Sequence, residues 1–201
     1  MNIHDFNKKF VLNNEVKRID AYPGLRLSEF LREKENLKGT KVGCNAGDCG
    51  SCTVLVDNNA CCSCLITLAK VENKKVETIE GVKNSELFSK LKDSFSYYGA
   101  AQCGICTPGM LMASVALLRK NKNPNIKEVE QALSGVLCRC TGYRKILLAV
   151  SNVHKKFKKE ADIKARNEVG KRLERLDGKE KIEGTDIFGD DYHPKGSLIA
   201  K

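Results

Sequence analysis

The sequence predicts an α+β protein in which a small mixed sheet crossed by one helix comes first and helices follow. Three observations carry that expectation. Short β-prone runs punctuated by turn residues occupy the chain up to Ile79. Near Ser85 the apolar period lengthens from two to that of a helix. Eight of the ten cysteines fall into two sets of four, one in each half. With 201 residues, 41% of them hydrophobic, the chain is long enough for two small domains, each built around one set.

Lys9 to Leu12, the Asn13-Asn14 turn and Glu15 to Asp20 read as a β-hairpin. Leu27, Phe30 and Leu31 recur at helical spacing and predict one short helix ahead of Gly39. Thr53-Val54-Leu55-Val56 is a strand pattern, Asp57-Asn58-Asn59 a turn, and Cys62 to Thr67 the expected partner strand. Val76-Glu77-Thr78-Ile79 supplies one more.

Beyond Ser85, Leu87, Phe88, Leu91 and Phe95 mark a helix. Thr107-Pro108 reads as an N-cap threonine with proline at N1. The helix from Gly109 to Arg119 is apolar on most sides, and its Met110 and Met112 read as core filler. Asn125 with Glu128 is a capping-box pattern for a helix ending near Gly135. Gly142-Tyr143 leads into a fourth helix, Arg144 to about Phe157. This layout puts Cys103 and Cys106 at one helix start and Cys138 and Cys140 at another, where the positive dipole end favours thiolates.

The first cysteine set opens Cys44-x4-Cys49-x2-Cys52, the plant-type spacing of a [2Fe–2S] centre. Gly43, Gly47 and Gly50 lie around it, and a loop wrapped on a cluster must turn tightly and aim N–H groups at sulfur. A structural zinc site more often presents paired C-x2-C knuckles. The second set, Cys103-x2-Cys106 and Cys138-Arg139-Cys140, does not by itself separate iron–sulfur from zinc. Disulfides would need an oxidising compartment, yet Met1-Asn2-Ile3-His4-Asp5 begins a polar stretch with no apolar h-region, and no run is long enough to span a bilayer. A cytoplasmic protein without a membrane partner is expected. His4, His154 and His193 are too scattered for a Rieske pair.

Gly43-Cys44, Cys49-Gly50-Ser51-Cys52-Thr53-Val54, Ser63-Cys64-Leu65, Gln102-Cys103-Gly104-Ile105-Cys106-Thr107-Pro108-Gly109 and Cys138-Arg139-Cys140-Thr141-Gly142-Tyr143 together resemble the iron–sulfur subunit of molybdenum hydroxylases, the xanthine dehydrogenase and aldehyde oxidoreductase family. The likeness runs over about residues 3–155. It implies a β-grasp plant-type ferredoxin-like domain over 1–82 and an all-α four-helix [2Fe–2S]-binding domain over 83–160. It implies two [2Fe–2S] clusters, the outer held by Cys44, Cys49, Cys52 and Cys64, the inner by Cys103, Cys106, Cys138 and Cys140. Spacing alone leaves Cys61, Cys62 and Cys64 open for the fourth outer position, and Ser63-Cys64-Leu65 is what matches the family. The expected partner is a large molybdenum-binding subunit or domain whose molybdenum–pterin cofactor Gln102 and Cys140 approach. Electrons would leave that cofactor through the inner and then the outer cluster to a flavin, with its own subunit, or to another acceptor. No substrate-converting residue is expected in this chain.

Two positions depart from the family pattern: Asn59 stands at a glycine turn, where asparagine also tolerates left-handed geometry, and Val136 replaces an asparagine. Cys61 and Cys62 are surplus. Residues 161–201 form a third region. Ile163 to Arg175 is charged and helix-compatible, and Val169-Gly170-Lys171-Arg172 through Asp177-Gly178 and Lys181-Ile182-x-Gly184 resembles the opening of a molybdenum-binding subunit. Its loop-rich composition suggests a segment with no core of its own, a flexible tail in isolation.

The net charge of +10 raises nucleic-acid binding, but basic residues are spread, 22 before position 151 and 13 after, with 15 and 10 acidic ones beside them. Lys155-Lys156-Phe157-Lys158-Lys159 reads as a solvated helix end. Aromatic residues make up only 6% of the chain, too few for interleaved stacking, so a zinc-stabilised nucleic-acid binder is disfavoured. A free-standing two-cluster ferredoxin is the other alternative.

Overall fold

The computed structural model describes residues 8–157, 175–192, 194 and 196–198. Most of the charged stretch from Ile163, the Val169–Arg172 motif and Lys158-Lys159 lie outside the described residues.

Asn13 and Asn14 take positive φ of 50° and 71°, the geometry that lets a two-residue turn follow strand twist. They join β1 (Lys9–Leu12) to β2 (Glu15–Arg18), with Leu12 opposite Glu15. The same device recurs at Asp57 and Asn58, with φ of 49° and 64°, between β3 (Thr53–Val56) and β4 (Asn59–Cys62). The partner strand therefore starts at Asn59 rather than at Cys62, because a two-residue turn pairs Val56 with Asn59 and Thr53 with Cys62. Asn59 is thus an ordinary strand residue; the left-handed positions precede it. Cys64 leaves the strand and sits on a 3-10 turn, Ser63–Leu65, anchored by Ser63 Oγ donating to the Cys52 carbonyl at 2.7 Å.

With β5 (Lys75–Glu77) the strands form a mixed sheet in the order β2-β1-β5-β3-β4, β1 running parallel to β5. Its core holds Phe10, Leu12, Val54 and Val76 together with Leu27 and Leu31. The last two come from the predicted short helix, a single turn α1 (Leu27–Glu29) continued as a π-helical turn over Phe30–Lys34. β5 stops at Glu77, and Ile79 opens a short helix, α2 (Ile79–Val82), instead of ending a strand.

The second half is helical: α3 (Glu86–Tyr98), α4 (Thr107–Lys120), α5 (Ile126–Leu133) and α6 (Arg144–Ser151). Ser85 accepts the Phe88 N–H at the start of α3, and Asn125 and Glu128 form the expected capping box on α5. Both α5 and α6 end earlier than their sequence patterns suggest, although Phe157 still packs against Tyr97 and Tyr98. At α4 the cap is Cys106, not Thr107, so the helix begins directly at a thiol. Met110 and Met112 lie among Phe88, Leu91, Val129 and Val150 as core filler.

β3 joins the halves, since all four of its residues are buried. Val54 and Val56 belong to the sheet core, while Leu55 belongs to the helical core. Beside it, Arg119 from the end of α4 pairs with Glu77 at 2.7 and 3.2 Å and reaches Asn58 at 2.7 Å.

Residues 175–192 of the C-terminal segment pack onto both halves. Its helix α7 (Gly178–Glu183) inserts Ile182, 1% exposed, into the helical core. Full burial of such a side chain contributes about 1.5–3 kcal/mol. Asp191 meets Arg32 at 2.6 Å and Lys41 at 3.3 Å, both cations being buried in the first half. Composition suggested an unsupported stretch because the segment has no core of its own; it borrows the cores of its neighbours. Among the described residues no helix is long and apolar enough to cross a membrane.

Two outcomes follow from these ion pairs. Asp191→Ala leaves two buried cations without their carboxylate, which should cost about 3 kcal/mol and raise amide hydrogen exchange across residues 175–192. Arg119, opposed by burial, holds the Glu77 carboxyl below its ordinary 4.5. A depressed folded value makes that stabilisation complete above the unfolded value and lost as pH falls through the folded one. Glu77→Gln should therefore flatten the acid-side decline of Tm between about pH 3 and 5, read by thermal melts.

Candidate iron–sulfur sites

The loop Gly43–Cys52 folds around its own sulfur atoms. Asn45 and Gly47 take positive φ, 53° and 86°, which bends the backbone so that its amides turn inward. Ala46 N–H donates to Cys44 Sγ at 3.3 Å, Cys49 N–H to the same sulfur at 3.4 Å, and Cys44 N–H to Cys49 Sγ at 3.4 Å. These amides, Ala46 foremost, lower the Cys44 thiol to about 7. Burial, then Cys52, pushes Cys64 up to about 12. The first site thus has an exposed edge at Cys44, where thiolate is favoured, and a buried edge at Cys52 and Cys64.

Within each set the thiols meet in twos. Cys44 contacts Cys49, and Cys64 contacts Cys52. In the second set Cys140 contacts Cys103, and Cys106 contacts Cys138. Burial, then Cys138, pushes the Cys106 thiol up, whereas the hydroxyl and N–H of Thr141 overcome burial at Cys138 and draw it down. Among the described residues no three His, Cys, Asp or Glu side chains converge on one point as a single-ion site asks. Thiols that meet in twos within each set, with amides aimed at sulfur, fit a binuclear iron centre in which each iron takes two cysteines.

All eight expected ligand residues are brought into these two groups. The surplus pair separates: Cys61 lies on β4 against the sheet core, while Cys62 stands beside Cys52, its thiol 3.8 Å from the Gly47 carbonyl. Burial pushes Cys62 up to about 11. Gln102, Cys103, Ile105 and Cys140 share exposure on the second site's outer side.

The motifs contain supporting side chains whose roles spacing does not reveal. Ser51 Oγ accepts the Gly43 N–H at 3.0 Å and lies 3.2 Å from Cys49 Sγ, tying the two ends of the first loop. Thr141 Oγ1 lies 3.1 Å from Cys138 Sγ. Tyr143 sits at φ 64°, a conformation costly for a bulky residue, and is held there by its N–H donating to Thr141 Oγ1 and its hydroxyl accepting from Cys138 N–H at 2.9 Å. Arg26, with no signal in the sequence at all, donates to the Asn45 carbonyl at 2.7 Å.

The two ligand loops touch. Leu137 N–H, one residue ahead of Cys138, donates to the Cys49 carbonyl at 2.9 Å. A Cβ on Gly50 would lie 2.0 Å from the Gly135 carbonyl oxygen and 2.9 Å from Val136 Cα, and one on Gly109 would lie 2.6 Å from the Gly50 carbonyl oxygen. Val136, where the family pattern has asparagine, is buried against this junction.

Residues 10–80 match the family of 2Fe-2S iron-sulfur cluster binding domains, and residues 78–151 match the [2Fe-2S] binding domain family. Fold and thiol geometry therefore define a [2Fe–2S]-binding oxidoreductase subunit. Over 146 residues the chain is 43% identical to the xanthine dehydrogenase iron-sulfur-binding subunit of Escherichia coli O157:H7, covering 72% of this chain and 91% of that protein. It is 42% identical to the nicotinate dehydrogenase small FeS subunit of Eubacterium barkeri, covering 69% and 88%. Among solved structures, quinoline 2-oxidoreductase of Pseudomonas putida 86 superposes with a TM-score of 0.68 at 40% identity over 72% of this chain and 90% of that one. Aldehyde oxidoreductase of Desulfovibrio gigas superposes with a TM-score of 0.81 at 29% identity over 92% of this chain, which spans only 22% of that longer one. The chain belongs to the iron–sulfur subunits of the molybdenum hydroxylase family, and its role is electron transfer.

The loop junction generates a direct test. Gly50→Ala meets backbone rather than a flexible side chain and also strains a residue at φ 68°. It should separate the two loops, lower Tm by roughly 5 °C or more, a loss of at least about 1 kcal/mol, and reduce iron per chain; Gly135→Ala, with nothing near its Cβ, should do neither.

Proposed function

We propose that Cys44, Cys49, Cys52 and Cys64 hold an outer [2Fe–2S] centre and Cys103, Cys106, Cys138 and Cys140 an inner one, in a relay between a large molybdenum-binding partner and an acceptor. When bound, the two centres supply one-electron redox steps that connect a molybdenum–pterin cofactor in that partner with a flavin or another acceptor. The observation that carries this reading is the Leu137 N–H bond to the Cys49 carbonyl, because it joins one proposed ligand of each centre through a short run of covalent bonds and a single hydrogen bond.

The chain's own residues have three tasks. The cysteines fix the outer centre by buried Cys52 and Cys64, half-buried Cys49 and exposed Cys44, and the inner one by buried Cys106, half-buried Cys138 and exposed Cys103 and Cys140. Amides of Ala46, Cys49 and Thr141 aimed at sulfur stabilise negative charge there and so favour reduction. Gln102, Ile105 and Cys140 form an exposed face suited to approach by the pterin cofactor of the partner, while exposed Cys44 and Leu65 mark the acceptor side. A ferredoxin-like domain over 1–82, a four-helix domain over 83–160 and a third segment over 161–201 that opens a molybdenum-subunit-like region complete the proposal. Docking of residues 175–192 onto both preceding halves supports that continuation.

Anaerobically purified protein should contain about four iron and four acid-labile sulfide per chain and give two distinct S = 1/2 EPR signals after dithionite reduction. Cys64→Ser should lose one signal and about half the iron, whereas Cys61→Ser should retain both signals. A colourless protein with zinc and no sulfide would overturn the reading.

A further inference from the structure

We infer that Arg175, in the C-terminal segment, is a positioning residue for the Cys103/Cys106/Cys138/Cys140 centre and raises that centre's affinity for an electron. The inference rests on the ligand assignment proposed above. Arg175 Nη1 donates to the Gln102 carbonyl at 2.7 Å and to the Ala101 carbonyl at 3.4 Å, bridging 73 and 74 positions of sequence to reach the residues immediately before Cys103. Carbonyl oxygens beside a thiolate add negative potential, and a guanidinium on two of them cancels it where the charge of the reduced centre appears.

The segment around Arg175 is built to aim it. Asp177 grips the guanidinium from behind, through Nε to one carboxylate oxygen and through Nη2 to the other at 2.9 Å. Lys181, one helical turn on, reaches Asp177 at 3.4 Å and Asp186 at 2.6 Å, while its methylene stem lies over Gly104. Gly104 has φ of 92° and carries no side chain to obstruct that stem. Gly184, also left-handed at φ 73°, lets the segment pass within van der Waals reach of Pro108 and tight against Gly39. The cations therefore stand on the ligand-loop side, with Asp177 placed to orient Arg175.

Taking up one electron adds one negative charge to the centre, and a fixed cation nearby favours that state. Removing it shifts the equilibrium toward the oxidised form without breaking any iron–sulfur bond. Only the centre beside Cys103 should respond, because Arg175 bonds no residue of the Gly43–Cys52 loop among its described contacts.

The test is an EPR-monitored redox titration of the full chain, with the inner signal identified as the one Cys103→Ser removes or reshapes. Arg175→Gln should shift the inner couple toward the oxidised form about threefold, which at 59 mV per tenfold is about 28 mV, and leave the outer couple in place. Arg175→Lys, which keeps the charge, should move it less, and Asp177→Asn, which removes the opposing carboxylate, should move it the other way. If neither couple moves, if both move equally, or if Lys behaves as Gln, the inference is overturned. Should Arg175→Gln fail to fold, the opposite shifts of Arg175→Lys and Asp177→Asn still decide it. Wild-type protein with a single signal would instead sink the ligand assignment, so the two failures are distinguishable.

Discussion

Gly50 has room for no side chain, because the backbone of Gly135 and Val136 lies where its Cβ would go, and its own carbonyl oxygen in turn leaves no room for a Cβ on Gly109. Each of those neighbours is within three residues of a cysteine of the second set. Contact between the two thiol loops is therefore backbone to backbone, and nearly everything else in the molecule holds that contact in register. β3 continues from the first loop and is buried on both faces, so it cannot tilt without disturbing two cores at once. At its far end Arg119 ties the last turn of α4 to Glu77 and to the β3–β4 turn. α4 itself begins at Cys106, so one rigid helix spans from thiol to ion pair. A shift of the helical half would break the Glu77 pair at one end and the Gly50 junction at the other.

The buried ions serve the same end at some cost in stability. Arg32 and Lys41 lie in the first half at 8% and 3% exposure, and the carboxylate that meets them, Asp191, arrives from more than 140 positions later. Burial pushes the Lys41 ammonium down, and Asp191 only partly restores it. Apolar residues of similar volume could hold the segment as firmly. What the ions add is selectivity: buried cations accept a carboxylate in that position and reject an apolar or cationic substitute. Together with Ile182 in the helical core, they fix the segment on both halves, which is the condition for Arg175 to arrive at one defined place.

Much of this was legible in the sequence, and the rest was not for identifiable reasons. The plant-type spacing and the helical period after Ser85 marked both thiol sets and the α+β class, since ligand spacing and apolar period are local properties. The Asn125/Glu128 capping box was readable for the same reason. Strand ends were less so: Cys62 to Thr67 looks as β-prone as Asn59 to Cys62, and only the left-handed pair Asp57-Asn58 decides the register. Composition misjudged residues 175–192, because a segment that buries one isoleucine and one aspartate in another part of the chain carries no amphipathic pattern of its own. Arg26 and Arg175 were invisible for a related reason. A guanidinium bonded to a carbonyl leaves no mark in sequence spacing, and the carbonyl's own residue type is irrelevant to the bond.

Pairing of the thiols bears on why this scaffold suits electron transfer. A tetrahedral single-ion site would gather four sulfurs about one point and bury them equally, which serves stability. Here each set is split, with at least one sulfur at the surface and another buried toward the body of the chain. On the proposed assignment, each centre then has one iron nearer a partner and one nearer the protein interior, and electron density can enter at one face and leave at another. Cys103 and Cys140 are exposed in one set and Cys44 in the other, while the two ligand loops meet at Gly50 and through the Leu137 bond. On the proposed assignment, charge passes between the two centres over a path whose length is set by backbone contacts too close to admit a single added methyl group.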